Sequence, residues 1–114
     1  MKRRKTFKLI NEKGKVVFEA DYIGSDGIYI IGEKQKHGIV NLKTGKIIKE
    51  PFADLICSDG RYKIDGKRGI VNMKTGKIIK EAFADFIYDN GEYEIGDKCG
   101  FINMKTGKIT KEAK

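Results

Sequence analysis

The sequence predicts an all-β protein, built of tandem repeats of about 31 residues, each a set of antiparallel β-hairpins. The repeats are expected to form a coiled meander, either an open superhelical array or a partly closed barrel. Three observations predict this. The stretch "NMKTGKI" stands at residues 72–78 and again at 103–109, and "NLKTGKI" at 41–47 differs from it by one residue. "DG" at 26–27 and 59–60 and "NG" at 90–91 lie between short runs rich in Ile, Tyr, Leu and Phe, a strong hairpin signal. No segment shows helical periodicity.

The elements follow in chain order. Residues 1–6 are a basic arm, and residues 7–114 form a single β-repeat domain. A degenerate first unit covers 7–37, with "LINEKGKVVFE" matching "IVNLKTGKIIKE" after one deletion. Repeats at 38–68 and 69–99 follow, then a terminal hairpin at 100–114. Each unit carries a "DG" or "NG" turn whose two residues tolerate positive φ. A second turn follows at "IDGK" (64–67), and a third at "KTGK", with glycine in the left-handed position after a type I turn. Pro51 falls at a connection. Between these turns lie about fourteen strands of roughly four to six residues.

Alternation assigns the strand faces. Tyr62 and Ile64 share one side, as do Tyr29 with Ile31 and Tyr93 with Ile95, so Tyr and Ile form the constant inner face. The opposite side changes from Ile28/Ile30 to Arg61/Lys63 to Glu92/Glu94, and the basic and acidic pairs are placed to bond across strands. Ile28 and Ile30 are either covered by the N-terminal hairpin or form an apolar patch for a partner.

Composition narrows the function. Hydrophobic residues make up 39% and charged residues 35%, as in a soluble globular protein, and no apolar run reaches the length of a membrane span. The basic start lacks the apolar core of a secretory signal, which points to the cytoplasm and to no membrane association. Cys57 and Cys99 lie in different contexts, so neither a disulfide framework nor a zinc site is expected, and no metal or cofactor is assigned. The net charge is +8, and Lys2, Arg3, Arg4 and Lys5 supply half of it.

"KTGK" is not a nucleotide loop. A Walker loop needs G-x-x-x-x-G-K-[ST] before a helix, whereas here a strand follows the turn. The K-T-G of penicillin-binding enzymes needs an S-x-x-K nucleophile, and the serines, Ser25 and Ser58, both precede "DG". His37, the one histidine, has no Ser or Cys motif around it. Carboxylates at Asp21, Asp54 and Asp85 recur with the repeat, as expected of turn caps and lysine partners rather than of a glycosidase pair. No catalytic residue is assigned.

The unit "DGKRGIVNMKTGKIIKEAFADFI" resembles the WG (KWG) repeat of bacterial proteins. Lys36, Lys67 and Lys98 match its lysine, Gly38, Gly69 and Gly100 its glycine, and Asp54 and Asp85 its late aspartate. The repeat's tryptophan is replaced by His37, Arg68 and Cys99. The resemblance implies a β-hairpin interaction module without catalytic activity, from a bacterial or phage source.

The first expectation is therefore a non-enzymatic module acting by protein–protein interaction, as an adaptor or as an inhibitor of a larger nucleic-acid-handling machine. Its partner-binding surface would comprise Ile28, Ile30, His37, Arg61, Lys63, Arg68, Glu92 and Glu94. The alternative is sequence-independent RNA or DNA binding through a repeated lysine stripe: Lys43, Lys46 and Lys49, then Lys74, Lys77 and Lys80, then Lys105, Lys108 and Lys111, with Arg3 and Arg4 of the arm. The oligomeric state is left open.

Overall fold

A computed structural model describes residues 6–114. Its described residues form fourteen strands and no helix. A hairpin of β1 (Phe7–Ile10) and β2 (Val16–Ala20) comes first. Three four-stranded antiparallel meanders follow. Sheet one holds β3 (Tyr22–Ile23), β4 (Ile28–Ile31), β5 (Lys36–Val40) and β6 (Ile47–Ala53). Sheet two holds β7 (Leu55–Ile56), β8 (Arg61–Ile64), β9 (Lys67–Val71) and β10 (Ile78–Ala84). Sheet three holds β11 (Phe86–Ile87), β12 (Glu92–Ile95), β13 (Lys98–Ile102) and β14 (Ile109–Lys111).

The protein is thus all-β, and its sheets form an array without closing into a barrel. The radius of gyration is 16.1 Å and the extents are 53 × 33 × 17 Å. A compact chain of this length would have a radius near 13 Å, so the array is elongated.

Each sheet is built around one tyrosine. Tyr29, Tyr62 and Tyr93 lie opposite Gly38, Gly69 and Gly100 in the ladder. A Cβ at Gly69 would stand 2.6 Å from the Tyr62 ring, so glycine is what lets the ring lie flat across the neighbouring strand. Phe18, Phe52 and Phe83 meet these tyrosines edge-on, with centroids 4.8, 5.0 and 5.0 Å apart. The Tyr62 hydroxyl donates to the Lys80 carbonyl at 3.1 Å, and Tyr29 and Tyr93 repeat this with Lys49 and Lys111. Burial raises the pKa of the Tyr29 hydroxyl to about 12, with the Glu50 charge adding to it.

Four expectations are corrected. Strand lengths are uneven: β3, β7 and β11 have two residues, while β6 and β10 have seven. Pro51 lies inside β6, not at a connection. It sits where the register shifts between the His37–Ala53 and Ile39–Lys49 pairs, and such a bulge asks for no amide there. The "DG" and "NG" turns are not two-residue mirror turns, because only the glycine has positive φ. The Gly60 N–H reaches back to the Cys57 carbonyl (2.9 Å), closing a type I turn that ends on a left-handed glycine. The two-residue mirror form occurs at Asp65 (φ 50°) and Gly66 (φ 80°).

The fourth correction concerns the faces. Tyr29, Tyr62 and Tyr93 are internal, but Ile31 and Ile95 at the strand ends are 40% and 38% exposed. Ile28 is buried at 6% exposure, and what covers it is sheet two, not the N-terminal hairpin. It clusters with Ile39 and Ala53 of its own sheet and with Ile56, Tyr62 and Val71 of the next. The next junction repeats this, with Ile70 and Ala84 against Ile87, Tyr93 and Ile102. In sheets one and two the middle strands are packed on both faces, and the core is a series of junctions between sheets.

Candidate functional site

The sequence-predicted partner surface is largely occupied by these junctions. Ile28 is in the core and cannot meet a partner, while Ile30 is half-buried opposite His37. His37 accepts the Ile56 N–H of sheet two on Nδ1 at 3.3 Å. Partial burial lowers its pKa, against the opposing pull of the Asp54 charge. Arg61 does not pair with Glu92. Its Nε donates to Asp59 at 2.8 Å and its Nη1 to the Ile87 carbonyl of sheet three at 2.9 Å. Arg68 lies over the Phe86 ring of sheet three, 4.7 Å from the centroid, with Nε buried and without an acceptor. Lys63, Glu92 and Glu94 are half-exposed. The Tyr88 hydroxyl donates to Glu94 at 2.8 Å, which raises the tyrosine pKa. Cys99 is exposed.

The aspartates staple sheets together. Asp54, between β6 and β7, receives the Lys36 ammonium of sheet one on one oxygen. Its other oxygen takes the Asp65 N–H of sheet two at 3.1 Å. Asp85 does the same for Lys67 and the Gly96 N–H (2.7 Å). Both carboxyls are held below the usual range, Asp54 chiefly by Lys36 and Asp85 chiefly by the Gly96 amide. These are structural roles, as expected from the repeat.

The lysine turns come together differently. In each, the asparagine side-chain oxygen accepts two backbone N–H groups: Asn72 those of Lys74 (2.8 Å) and Thr75 (3.1 Å), Asn103 those of Lys105 (2.9 Å) and Thr106 (3.1 Å). The glycine N–H returns to the asparagine carbonyl, and the threonine hydroxyl accepts the next lysine N–H at 3.2 Å. The turn's amides are therefore satisfied internally. A phosphate cradle of the backbone type presents a run of free amides, and here the four successive amides from Lys74 to Lys77 are taken up within the turn. Whatever binds here meets the lysine side chains.

The glycine also sets the stacking. Gly76 (φ 77°) lies so close to β6 that a Cβ would overlap the Ile48 carbonyl, and Gly107 (φ 76°) lies on Ile79 of β10 in the same way. A Cβ on Gly45 would come within 2.6 Å of Val17 in β2. Each turn is thus seated on the preceding unit, and the turns stack into one edge of the array. The turn of the first hairpin joins them, because Asn11, Lys13 and Lys43 line one cleft. Its asparagine accepts the Lys13 and Lys15 N–H groups at 3.0 and 2.9 Å.

The column carries Lys13, Lys15, Lys43, Lys46, Lys74, Lys77, Lys105 and Lys108, all exposed and none in an ion pair among the described residues. Lys49 and Lys80 leave the stripe, lying over Phe52 and Phe83 at 5.3 and 5.2 Å. Lys111 is exposed on β14. Arg3 and Arg4 lie outside the described residues. Lys13 and Lys15 were missed by sequence reasoning, although the aligned "NEKGK" held the signal. Searches of family models, of curated proteins and of solved structures find no match to this chain.

Proposed function

We propose that the chain is a non-enzymatic binding module whose lysine column holds the phosphate backbone of nucleic acid without reading its sequence. The observation that carries this is the stacking of the turns, which lines up on one edge eight exposed ammonium groups that have no ion-pair partner among the described residues. A linear array of point charges on a slab 17 Å thick suits a linear polyanion.

The test is fluorescence anisotropy with labelled oligonucleotides over a salt series. Binding should weaken steeply with salt, with a log–log slope near 0.9 per duplex phosphate contacted. Reversing Lys74 and Lys77 to Glu should abolish it. Reversing Lys34, in the β4–β5 turn, and Lys98, at the start of β13, both at the opposite strand ends, should cost much less for the same change in charge. Equal losses in the two variants would sink the reading.

Protein binding is the second reading, favoured by one patch. Tyr88 (37%) and Phe101 (38%) are exposed on sheet three beside Glu94 and Glu92. A pull-down that keeps one dominant protein after nuclease, and loses it on changing Phe101 and Glu94, would move function there.

A further inference from the structure

The clefts between successive turns carry the reading one step further, to the form of the nucleic acid. Lys77 of one turn and Lys105 of the next line a cleft of about 250 Å³ together with Asn72 and Thr106. On the other side of the same junction, Lys74 and Lys105 border a larger groove of about 510 Å³. Lys13 and Lys43 bracket the cleft between the first two turns, of about 290 Å³. Each of these clefts thus has an ammonium from both neighbouring turns, and Lys105 serves two of them. The acidic residues lining them are Glu12 and Asp59, and Asp59 is neutralised by Arg61 at 2.8 Å.

Stacked sheets lie roughly 10 Å apart, so four turns span roughly 30 Å, close to the ~34 Å of one duplex turn. Gly45, Gly76 and Gly107 seat each later turn directly on a strand of the preceding unit, which sets the step. Single-strand binders hold unstacked bases on series of aromatic rings, and the exposed ring beside a lysine turn here is Phe7, which shares a cleft with Leu42 and is packed edge-on against Tyr22. The apolar member of each turn is Leu42, Met73 or Met104, and the nearby Phe52 and Phe83 are packed on Tyr62 and Tyr93. Among the described residues no arginine stands in the column to read base edges, since Arg61 and Arg68 are engaged at the junctions.

We infer that the ligand is a duplex, held over about one helical turn by phosphates seated between lysines of successive turns. This rests on the nucleic-acid reading above. The test compares a labelled duplex of about 12 base pairs with each of its separated strands, at salt from about 50 to about 200 mM, with phosphatidylserine vesicles as a third probe. The expected result is duplex binding at least about tenfold tighter than either strand, insensitive to sequence, and rising with length up to about one turn. Lys105→Ala should weaken it more than Lys111→Ala, with both variants checked for native melting. Strands that bind as tightly as the duplex would overturn this inference and leave the broader reading standing. Binding to neither nucleic acid would overturn both, and vesicle capture without duplex binding would assign the column to a membrane surface instead.

Discussion

The two junctions between sheets share one backbone and differ in chemistry. Between sheets one and two, an isoleucine in the core and a neutral histidine meet the next sheet. Between sheets two and three, two arginines occupy the same places, one on a carbonyl and one over a phenyl ring. The tyrosine bond, the lysine–aspartate staple and the seated glycine turn are the same in both. The junction is therefore specified by its backbone partners, and positions 28/61 and 37/68 are filled by whatever packs.

Substitutions test that separation. The largest effect is expected at the shared part. Gly76→Ala and Gly107→Ala combine positive φ with overlap on a carbonyl, and each should lose at least about 3 kcal/mol in urea unfolding. Gly14 has a similar φ (79°) and nothing within 4 Å, so Gly14→Ala should lose only about 1 kcal/mol. Equal losses at Gly14 and Gly76 would mean that seating contributes nothing. Tyr62→Phe removes the bond to the Lys80 carbonyl and should cost about 1 kcal/mol by the same measurement.

Smaller effects separate the variable parts. Arg68→Met keeps the cover over Phe86 and removes a buried Nε without an acceptor, so its stability should stay within about 1 kcal/mol of the parent or rise. The first junction alone should respond to mild acid. His37 has a lowered pKa when folded, so the unfolded chain takes up the proton first, and stability falls as pH drops below about 6.5. Melting temperatures followed from neutral pH to about 5 should show this fall, and His37→Gln should remove it. Asp54 and Asp85 act lower. Their depressed pKa values keep their contribution intact above the usual carboxylate range and lose it only as pH falls through the folded values.

Much of the fold was legible because turn chemistry is local. The glycines, the aspartate–glycine and asparagine–glycine pairs and the 31-residue spacing named the hairpins and the tyrosine side of each strand. What covers the other side was not legible. Alternation reports two faces but not which neighbour packs on each, so Ile28 read as either covered by the first hairpin or open to a partner, when it is packed at the junction with sheet two. The Pro51 bulge was hidden for a similar reason, since only the register with β5 reveals the extra residues. At the site, the lysine period was plain in the sequence. Which lysines stay free was not, because Lys49 and Lys80 differ from their neighbours only by the rings beneath them.

In every sheet, each strand pairs only with its neighbours in the chain. No long loop must close before a ladder can start, so the entropy of ordering is offset hairpin by hairpin. Such a chain should fold quickly from any of its sheets, with structure spreading outward to the next tyrosine.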